Sequence, residues 1–306
     1  YLFLFTTFSS MFTDVLRSFI TYITLCSCLM NLDVSNVIGM TRQIKDVRHD
    51  LCRRQLQQQQ RRHTTAFSHL LNLVSLSKPL PKTSIIMCFV DEEYYALTRS
   101  IISVLSKSPA ELVGELILLD DGSTSPDMLR PLEEFVMHIP KVRIIRTHAR
   151  IGLIKARSLG VEKALYEVVT FLDSHIEVVE GWLEPLMMRL SIEPEIIVTP
   201  QIVVINQDNL HFQQSVGFNS IAYGVMNWDL VFHWVFTDKQ PPKNKRTTAI
   251  DPVESPTMAG GLFSIRKSFF EKLGGYDEKM KGWGGENIEM SIRMWSCGYK
   301  IELIPC

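Results

Sequence analysis

The stretch Glu167-Val-Val-Thr-Phe-Leu172-Asp173-Ser174-His175 sets the reading of the fold. Residues 167–172 form an apolar, β-branched run of the kind that makes a buried strand. Asp173 and His175 follow it, two residues apart, and such spacing sends both side chains to the same side. In an open α/β sheet, ligands bind outside the carboxyl ends of the strands. A carboxylate and an imidazole there suit Mn²⁺ or a similar first-row metal. A β-turn closed by Asp and Ser, with His at the surface, explains the same residues structurally. The rest of the chain has to decide between the two.

Outward from this stretch the sequence alternates. Strands are expected at 83–90, 112–119, 142–147, 167–172 and 195–205. Helices are expected at 92–107, 126–138, 152–165 and 180–190. Alternation at this spacing implies an α/β fold, a mostly parallel sheet with helices on both faces. Beyond Asn206 the rhythm changes. Residues 206–234 are rich in aromatics, Gly and Asn and read as irregular hairpins, and 240–246 reads as an exposed loop. No internal repeat is present.

Two further strands end in acids: Asp91-Glu92-Glu93 and Asp120-Asp121-Gly122-Ser123. Each has a structural reading, as a turn, a helix cap or a first-turn charge. Three acidic strand ends on one side are harder to explain as caps, and suggest a site for a metal–diphosphate and a polar nucleoside. Arg150-Ile-Gly-Leu-Ile-Lys155-Ala-Arg157 opens a helix with three cations, a composition that suits phosphate. Paired Gly260 and Gly261 in an apolar run permit close approach of a ligand or backbone, or mark a bulge. Gly282-Trp283-Gly-Gly-Glu286-Asn287 leads into a helix over 286–295 whose core face is expected to be Ile288, Ile292 and Trp295. Trp, two Gly and an acid–amide pair also make a good sugar-binding composition.

The chain of 306 residues is 46% hydrophobic and 21% charged, enough apolar content for a large core. A net charge of −1 gives no electrostatic case for a nucleic-acid partner. The cysteines Cys26, Cys28, Cys52, Cys88, Cys297 and Cys306 form no CxxC pair, so a zinc ribbon is not supported. Residues 1–32 are apolar but interrupted by Asp14 and Arg17, and the uncharged run 18–32 is shorter than the roughly 20 residues of a spanning helix. They read as an anchor or stem segment. Residues 33–82 read as a lead-in with a basic, Gln-rich solvated loop at 53–62 and a short helix at 63–76, bounded by Pro79 and Pro81. Residues 83–306 then read as one α/β domain that carries the acidic strand ends.

Several motifs now stand in order: Asp120-Asp121, Arg150-x-Gly-Leu-Ile-x-Ala-Arg157, Phe171-Leu-Asp-Ser-His175 and Gly181-Trp-Leu-Glu-Pro-Leu186. Ser255-Pro-Thr-Met-Ala-Gly-Gly-Leu-Phe263, Trp283-Gly-Gly-Glu-Asn287 and Ile304-Pro-Cys306 follow. Together they resemble the polypeptide N-acetylgalactosaminyltransferases, Golgi enzymes that begin mucin-type O-glycosylation. The resemblance runs from about Asp46 to Cys306. It implies a GT-A fold and transfer of GalNAc from UDP-GalNAc to Ser or Thr hydroxyls of polypeptides, with retention and with Mn²⁺. It implies Asp173 and His175 as metal ligands and Glu286 with Asn287 as the catalytic, GalNAc-holding pair. Cys88, Asp121, Arg150, Ser174, Gly260, Gly261 and Trp283 become substrate-binding positions. Cys52 and Cys306 match a family disulfide, in keeping with an oxidising lumen. The location implied is the Golgi lumen, as a type II membrane protein.

The sequence also departs from the family pattern. Phe89-Val90-Asp91-Glu92 stands where Phe-His-Asn-Glu is usual, and the Gln-rich insert replaces a short link. The family's third metal ligand, its nucleotide-covering loop and its ricin-like lectin domain come after Ile-Pro-Cys. With Tyr1 first and Cys306 last, the chain is expected to be a fragment, a processed form or an incomplete gene model. An inactive family member acting as a binding or regulatory protein is the alternative. An inverting processive sugar polymerase would need a Gln-x-x-Arg-Trp type segment, which is not found.

Overall fold

The computed structural model describes residues 31–44, 54, 79–212, 220–281 and 284–305. The segment at 63–76, most of the apolar N-terminal run and nearly all of the Gln-rich stretch lie outside these residues, as do Cys52, Trp283 and Cys306.

A short helix, α1 (Leu32–Ile38), precedes the alternating body. The body opens with β1 (Thr83–Phe89), α2 (Tyr94–Lys107), β2 (Val113–Asp120), α3 (Pro126–Val136) and β3 (Val142–Arg146). It continues with α4 (Leu153–Lys163), β4 (Val168–Leu172), α5 (Leu183–Ile192) and β5 (Ile196–Pro200). A hairpin, β6 (Ala222–Met226) and β7 (Phe232–Phe236), leads to β8 (Val253–Glu254) and β9 (Phe263–Arg266). Then come α6 (Lys267–Lys272), α7 (Glu286–Ser296) and β10 (Lys300–Ile304).

Eight strands form one sheet in the order β3-β2-β1-β4-β9-β5-β10-β8. Pairings among β1 to β4 and between β5 and β10 are parallel, while β9 runs antiparallel between β4 and β5. After β1 the order steps one way to β2 and β3 and the other way to β4. A crevice therefore opens at the carboxyl ends of β1 and β4, the usual position for a ligand in a doubly wound sheet.

The two-residue strand period divides the core. Ile85, Met87, Leu116, Leu118 and Val168 face α2, α3 and α5 through Leu97, Ile101, Leu132 and Leu186. Ile86, Ile117, Val169, Phe171 and Ile265 face the other way, toward Ile154, Phe270, Met290 and Met294 of α4, α6 and α7. Apolar runs with no polar alternation follow from burial on both faces. Gly160 of α4 allows the close approach to β1: a Cβ there would lie 2.7 Å from Ile86 Cγ2.

Three expectations are corrected. The strand at 195–205 stops at Pro200, where its partner β10 also ends at Ile304. The helix expected from residue 180 starts at Leu183, because Gly181 takes φ +76° and Trp182 turns inward to donate from Nε1 to Ser108 Oγ at 2.8 Å. The buried face of α7 is Glu286, Met290 and Met294 with Ile288, whereas Trp295 is 39% exposed. That stripe places a carboxylate, Glu286, in line with core methionines.

Candidate active site

At the end of β4 the chain turns out of the sheet. Asp173 and His175 keep side chains that are 37% and 56% exposed, while Ser174 between them points inward. Ser174 Oγ donates to Glu92 Oε2 at 2.6 Å, and its carbonyl accepts from Ser100 Oγ at 2.9 Å. The same Glu92 oxygen lies 3.0 Å from His175 Nδ1. A carboxylate on Nδ1 fixes the proton there and leaves Nε2 as the free lone pair, the arrangement typical of a metal-ligating histidine. The bond to Glu92 pushes the His175 pKa up against the effect of burial. Burial works to raise Glu92, but the hydrogen bonds from His175 and Ser174 hold it below its ordinary value.

Across the crevice lies a buried cation. Arg157, in the first half of α4, is 4% exposed. Its Nη2 sits 3.6 Å from Asp173 Oδ1 and its Nη1 3.5 Å from Glu286 Oε1. The guanidinium lies 5.9 Å from the centroid of the Phe171 ring. Its pKa stays up despite burial because Tyr276, Asp173, Cys88 and Glu286 surround it. Glu286 Oε2 is buried without a hydrogen-bond partner. A buried unsatisfied carboxylate oxygen is costly, and it is a ready acceptor for a ligand hydroxyl.

The paired glycines close this geometry. A Cβ on Gly261 would lie 2.2 Å from Asp173 Oδ2, and one on Gly260 would lie 3.0 Å from Glu286 Oε1. Close approach, and not a bulge in a ladder, is therefore what both positions require. Asn287 Nδ2 donates to Met258 O at 2.9 Å, tying the start of α7 to the turn before β9 that carries the glycines. Cys88 lines the same region, its thiol pushed up to about 12 by burial.

Several acids expected to face a ligand are instead engaged by the protein. Asp121 accepts from Ile151 N at 2.7 Å and Gly152 N at 2.9 Å, holding the loop that opens α4. Asp120 accepts from Arg146 Nε at 2.7 Å and Ser123 N at 2.8 Å. Asp91, at φ +44°, accepts from Thr124 N and Ser125 N, and Glu93 caps α2 through Tyr95 N and Ala96 N. Arg150 is exposed, its backbone lying over Gly122, where a Cβ would meet Arg150 N at 2.8 Å.

The structure thus brings Asp173, His175, Ser174, Gly260, Gly261, Glu286, Asn287 and Cys88 to one crevice. Trp283, Cys52 and Cys306 lie outside the described residues, and Cys88 and Cys297 are free thiols. Sequence reasoning missed Glu92 and Arg157 as site residues. In sequence Glu92 reads as one of the strand-end acids, and Arg157 as one of three cations that suit phosphate. The signal for Arg157 was its place three residues before the core position Gly160 on an apolar helix face.

Among the described residues, no cluster of three or more His, Cys, Asp or Glu forms a metal cage. The donor set still fits a first-row divalent ion: one carboxylate, one imidazole, and a second carboxylate orienting the ring.

Residues 84–274 match the family model described as glycosyl transferase family 2, and residues 247–306 match the N-terminal domain of galactosyltransferase. The chain is 44% identical over 229 residues to polypeptide N-acetylgalactosaminyltransferase 6 of Bos taurus, covering 74% of this chain and 37% of that protein. It is 46% identical over 229 residues to putative polypeptide N-acetylgalactosaminyltransferase 9 of Drosophila melanogaster, covering 74% and 35%. It therefore spans about a third of the length of these curated relatives. The crystal structure of GalNAc-T7 with UDP, GalNAc and Mn2+ superposes with a TM-score of 0.78 at 30% identity, over 93% of this chain and 50% of that one. The expected GT-A arrangement is thereby met.

Proposed function

We propose that this chain, which belongs to glycosyl transferase family 2 among the polypeptide N-acetylgalactosaminyltransferases, carries the donor site for transfer of N-acetylgalactosamine from UDP-GalNAc to Ser or Thr hydroxyls of polypeptides, with retention. One observation carries the reading: Asp173 and Glu286 meet across Arg157, in a crevice that Gly260 and Gly261 keep open.

Asp173 and His175 would hold Mn²⁺, with Glu92 fixing the ring. When bound, the ion supplies Lewis-acid stabilisation of a diphosphate leaving group. Glu286 presents its unpartnered Oε2 to a sugar hydroxyl, and Arg157 holds that carboxylate in place. Asn287 positions the glycine turn through Met258 O. Asp121 keeps the Ile151 and Gly152 amides fixed at the opening of α4, beside Arg150, where the nucleotide would pass. Ser174 and Cys88 would line the nucleotide side, and Trp283 would stack on the sugar. The acceptor side falls to the β6–β7 hairpin, whose fully exposed Trp228 offers an apolar face to a peptide. Gly224 O of that hairpin accepts from Thr257 N at 3.2 Å, three residues before Gly260.

The family's setting supports a Golgi lumenal location with a type II anchor and a Cys52–Cys306 disulfide. No helix among the described residues is long and apolar enough to cross a membrane. The assembled site favours an enzyme over an inactive binding protein. Labelled UDP-GalNAc, Mn²⁺ and a Thr-containing peptide test it. Asp173→Asn and Glu286→Gln are each expected to remove transfer by at least about 100-fold, and undiminished turnover in either would sink the reading.

A further inference from the structure

The turn that presents Asp173 and His175 is gripped from behind by a distant part of the chain. Arg42 donates from Nε and Nη2 to both oxygens of Glu177, at 2.9 and 2.6 Å. Glu177 lies two residues past His175, and the pair is largely shielded, at 15% and 8% side-chain exposure. Arg99 of α2 adds a second cation, its Nε 3.7 Å from Glu177 Oε1. It also donates from Nη1 to the carbonyls of Ser35 and Gly39, at 3.2 and 2.8 Å, so it binds the same N-terminal strap. The third Arg42 donor reaches Leu210 O at 2.5 Å, and its guanidinium lies 5.4 Å from the Phe212 ring centroid. Leu210 sits at φ +55°, a strained position for a branched side chain, which persists only where its surroundings over-determine it. One guanidinium thus fixes two loops at once. On the opposite side the turn is held by Ile176 N to Ser100 Oγ and Val178 N to Ser103 Oγ, at 2.9 and 3.3 Å.

We infer that Arg42 and Glu177 are positioning residues for the donor site: the strap of residues 31–44 holds the turn 173–178 in the posture that presents Asp173 and His175. The inference rests on the reading of that turn as the metal-binding turn. A bidentate Arg–carboxylate pair fixes direction as well as distance, which a Lys or a hydrophobic contact would not. The strap belongs to a segment remote in sequence from the sheet, so the posture of the turn depends on its docking.

The test compares Arg42→Met, Glu177→Met and the double variant of the whole chain, read by backbone hydrogen exchange and by Mn²⁺ titration. All three are expected to speed exchange of the Ile176 and Val178 amides by about tenfold, with Val168–Leu172 unchanged, and to weaken Mn²⁺ binding by about tenfold. Glu177→Met strands Arg42 and Arg99, and Arg42→Met leaves Glu177 only the longer Arg99 contact, so each single variant lowers the melting temperature. The double variant removes the bidentate pair, leaves Arg99 with its strap carbonyls and Glu93, and is expected to recover part of the melting temperature but not the Mn²⁺ affinity. Parental exchange at Ile176 and Val178, or Mn²⁺ affinity that returns with stability in the double variant, would overturn the positioning role. Asp173→Asn separates the two readings: it is expected to lose Mn²⁺ while keeping parental exchange at both amides. Mn²⁺ binding indifferent to Asp173→Asn would instead overturn the donor-site reading, and the exchange data would still decide for or against the strap.

Discussion

Gly261 faces Asp173 so closely that a Cβ would lie 2.2 Å from Oδ2 and 2.6 Å from both Cγ and Oδ1. No carboxylate rotamer absorbs such an overlap without leaving its place. Gly261→Ala is therefore expected to displace Asp173, lowering Mn²⁺ affinity by at least tenfold and transfer by about 100-fold, since a shift of about 1 Å in a positioned group costs that much. At Gly260 the added carbon meets Glu286 Oε1 at 3.0 Å, a clash that a small shift relieves. Gly260→Ala should cost less in rate and should spare Mn²⁺ binding. Equal metal affinities for parent and Gly261→Ala, measured by titration, would remove the argument.

Arg157 sits between two carboxylates and under an aromatic ring, almost wholly out of water. Its loss leaves Glu286 buried without its counter-charge. Arg157→Met is expected to lower stability by about 3–5 kcal/mol, the usual cost of removing one partner of a buried pair. Arg157→Lys keeps the charge but loses the planar fork that reaches both acids. It should fold nearly as well as the parent and turn over about 100-fold more slowly. Thermal melts and steady-state rates on the two variants check both statements.

Glu115, at the opposite end of the sheet, gives a pH signature independent of the site. Burial works to raise its pKa, but Arg143, Ser84 Oγ and Leu165 N hold it below the ordinary value. The contacts measure 2.7, 2.7 and 2.8 Å. A depressed carboxylate contributes stability that is complete above its unfolded pKa of about 4.3 and fades as pH falls through the lower folded value. Glu115→Gln should cost about 1–2 kcal/mol at neutral pH. The gap to the parent should shrink as pH falls below about 4. Denaturant melts across that range measure it, and a gap constant with pH would count against the ion pair.

The Cys88 thiol, raised to about 12 by its burial, stays protonated at working pH and is a poor nucleophile. Cys297 is a free, exposed thiol. Iodoacetamide at about pH 8 is expected to label the exposed Cys297 much faster than the half-buried, protonated Cys88. Peptide mapping by mass spectrometry reads the outcome, and equal labelling rates at the two positions would show that the Cys88 thiol is not held protonated.

Most of the element order was legible in sequence, because a strand buried on both faces leaves a run such as Ile85-Ile86-Met87 that local composition reveals. The acidic strand ends were legible too, but their division of labour was not. Asp91, Asp120, Asp121, Glu92 and Glu93 have similar local contexts. Only their partners distinguish a cap, a loop clasp and a histidine support from a free ligand. The core face of α7 was misread for the same kind of reason: Trp295 is apolar, yet the sheet meets the helix along Met290 and Met294, which sets Glu286 on the buried stripe.

By itself the sequence determined the alternation of strands and helices, the crevice at their carboxyl ends, and the resemblance carried by motifs such as Phe171-Leu-Asp-Ser-His175. These are properties of periodicity and local chemistry, and they need no knowledge of distant partners. Tertiary structure alone decided that Arg157 joins Asp173 to Glu286, that Glu92 orients His175, and that Arg42 reaches Glu177. Those pairs are 16, 129, 83 and 135 residues apart in the chain. Burial turns each of these charges from a surface option into an obligation to find its partner, and only the packed fold says which partner that is.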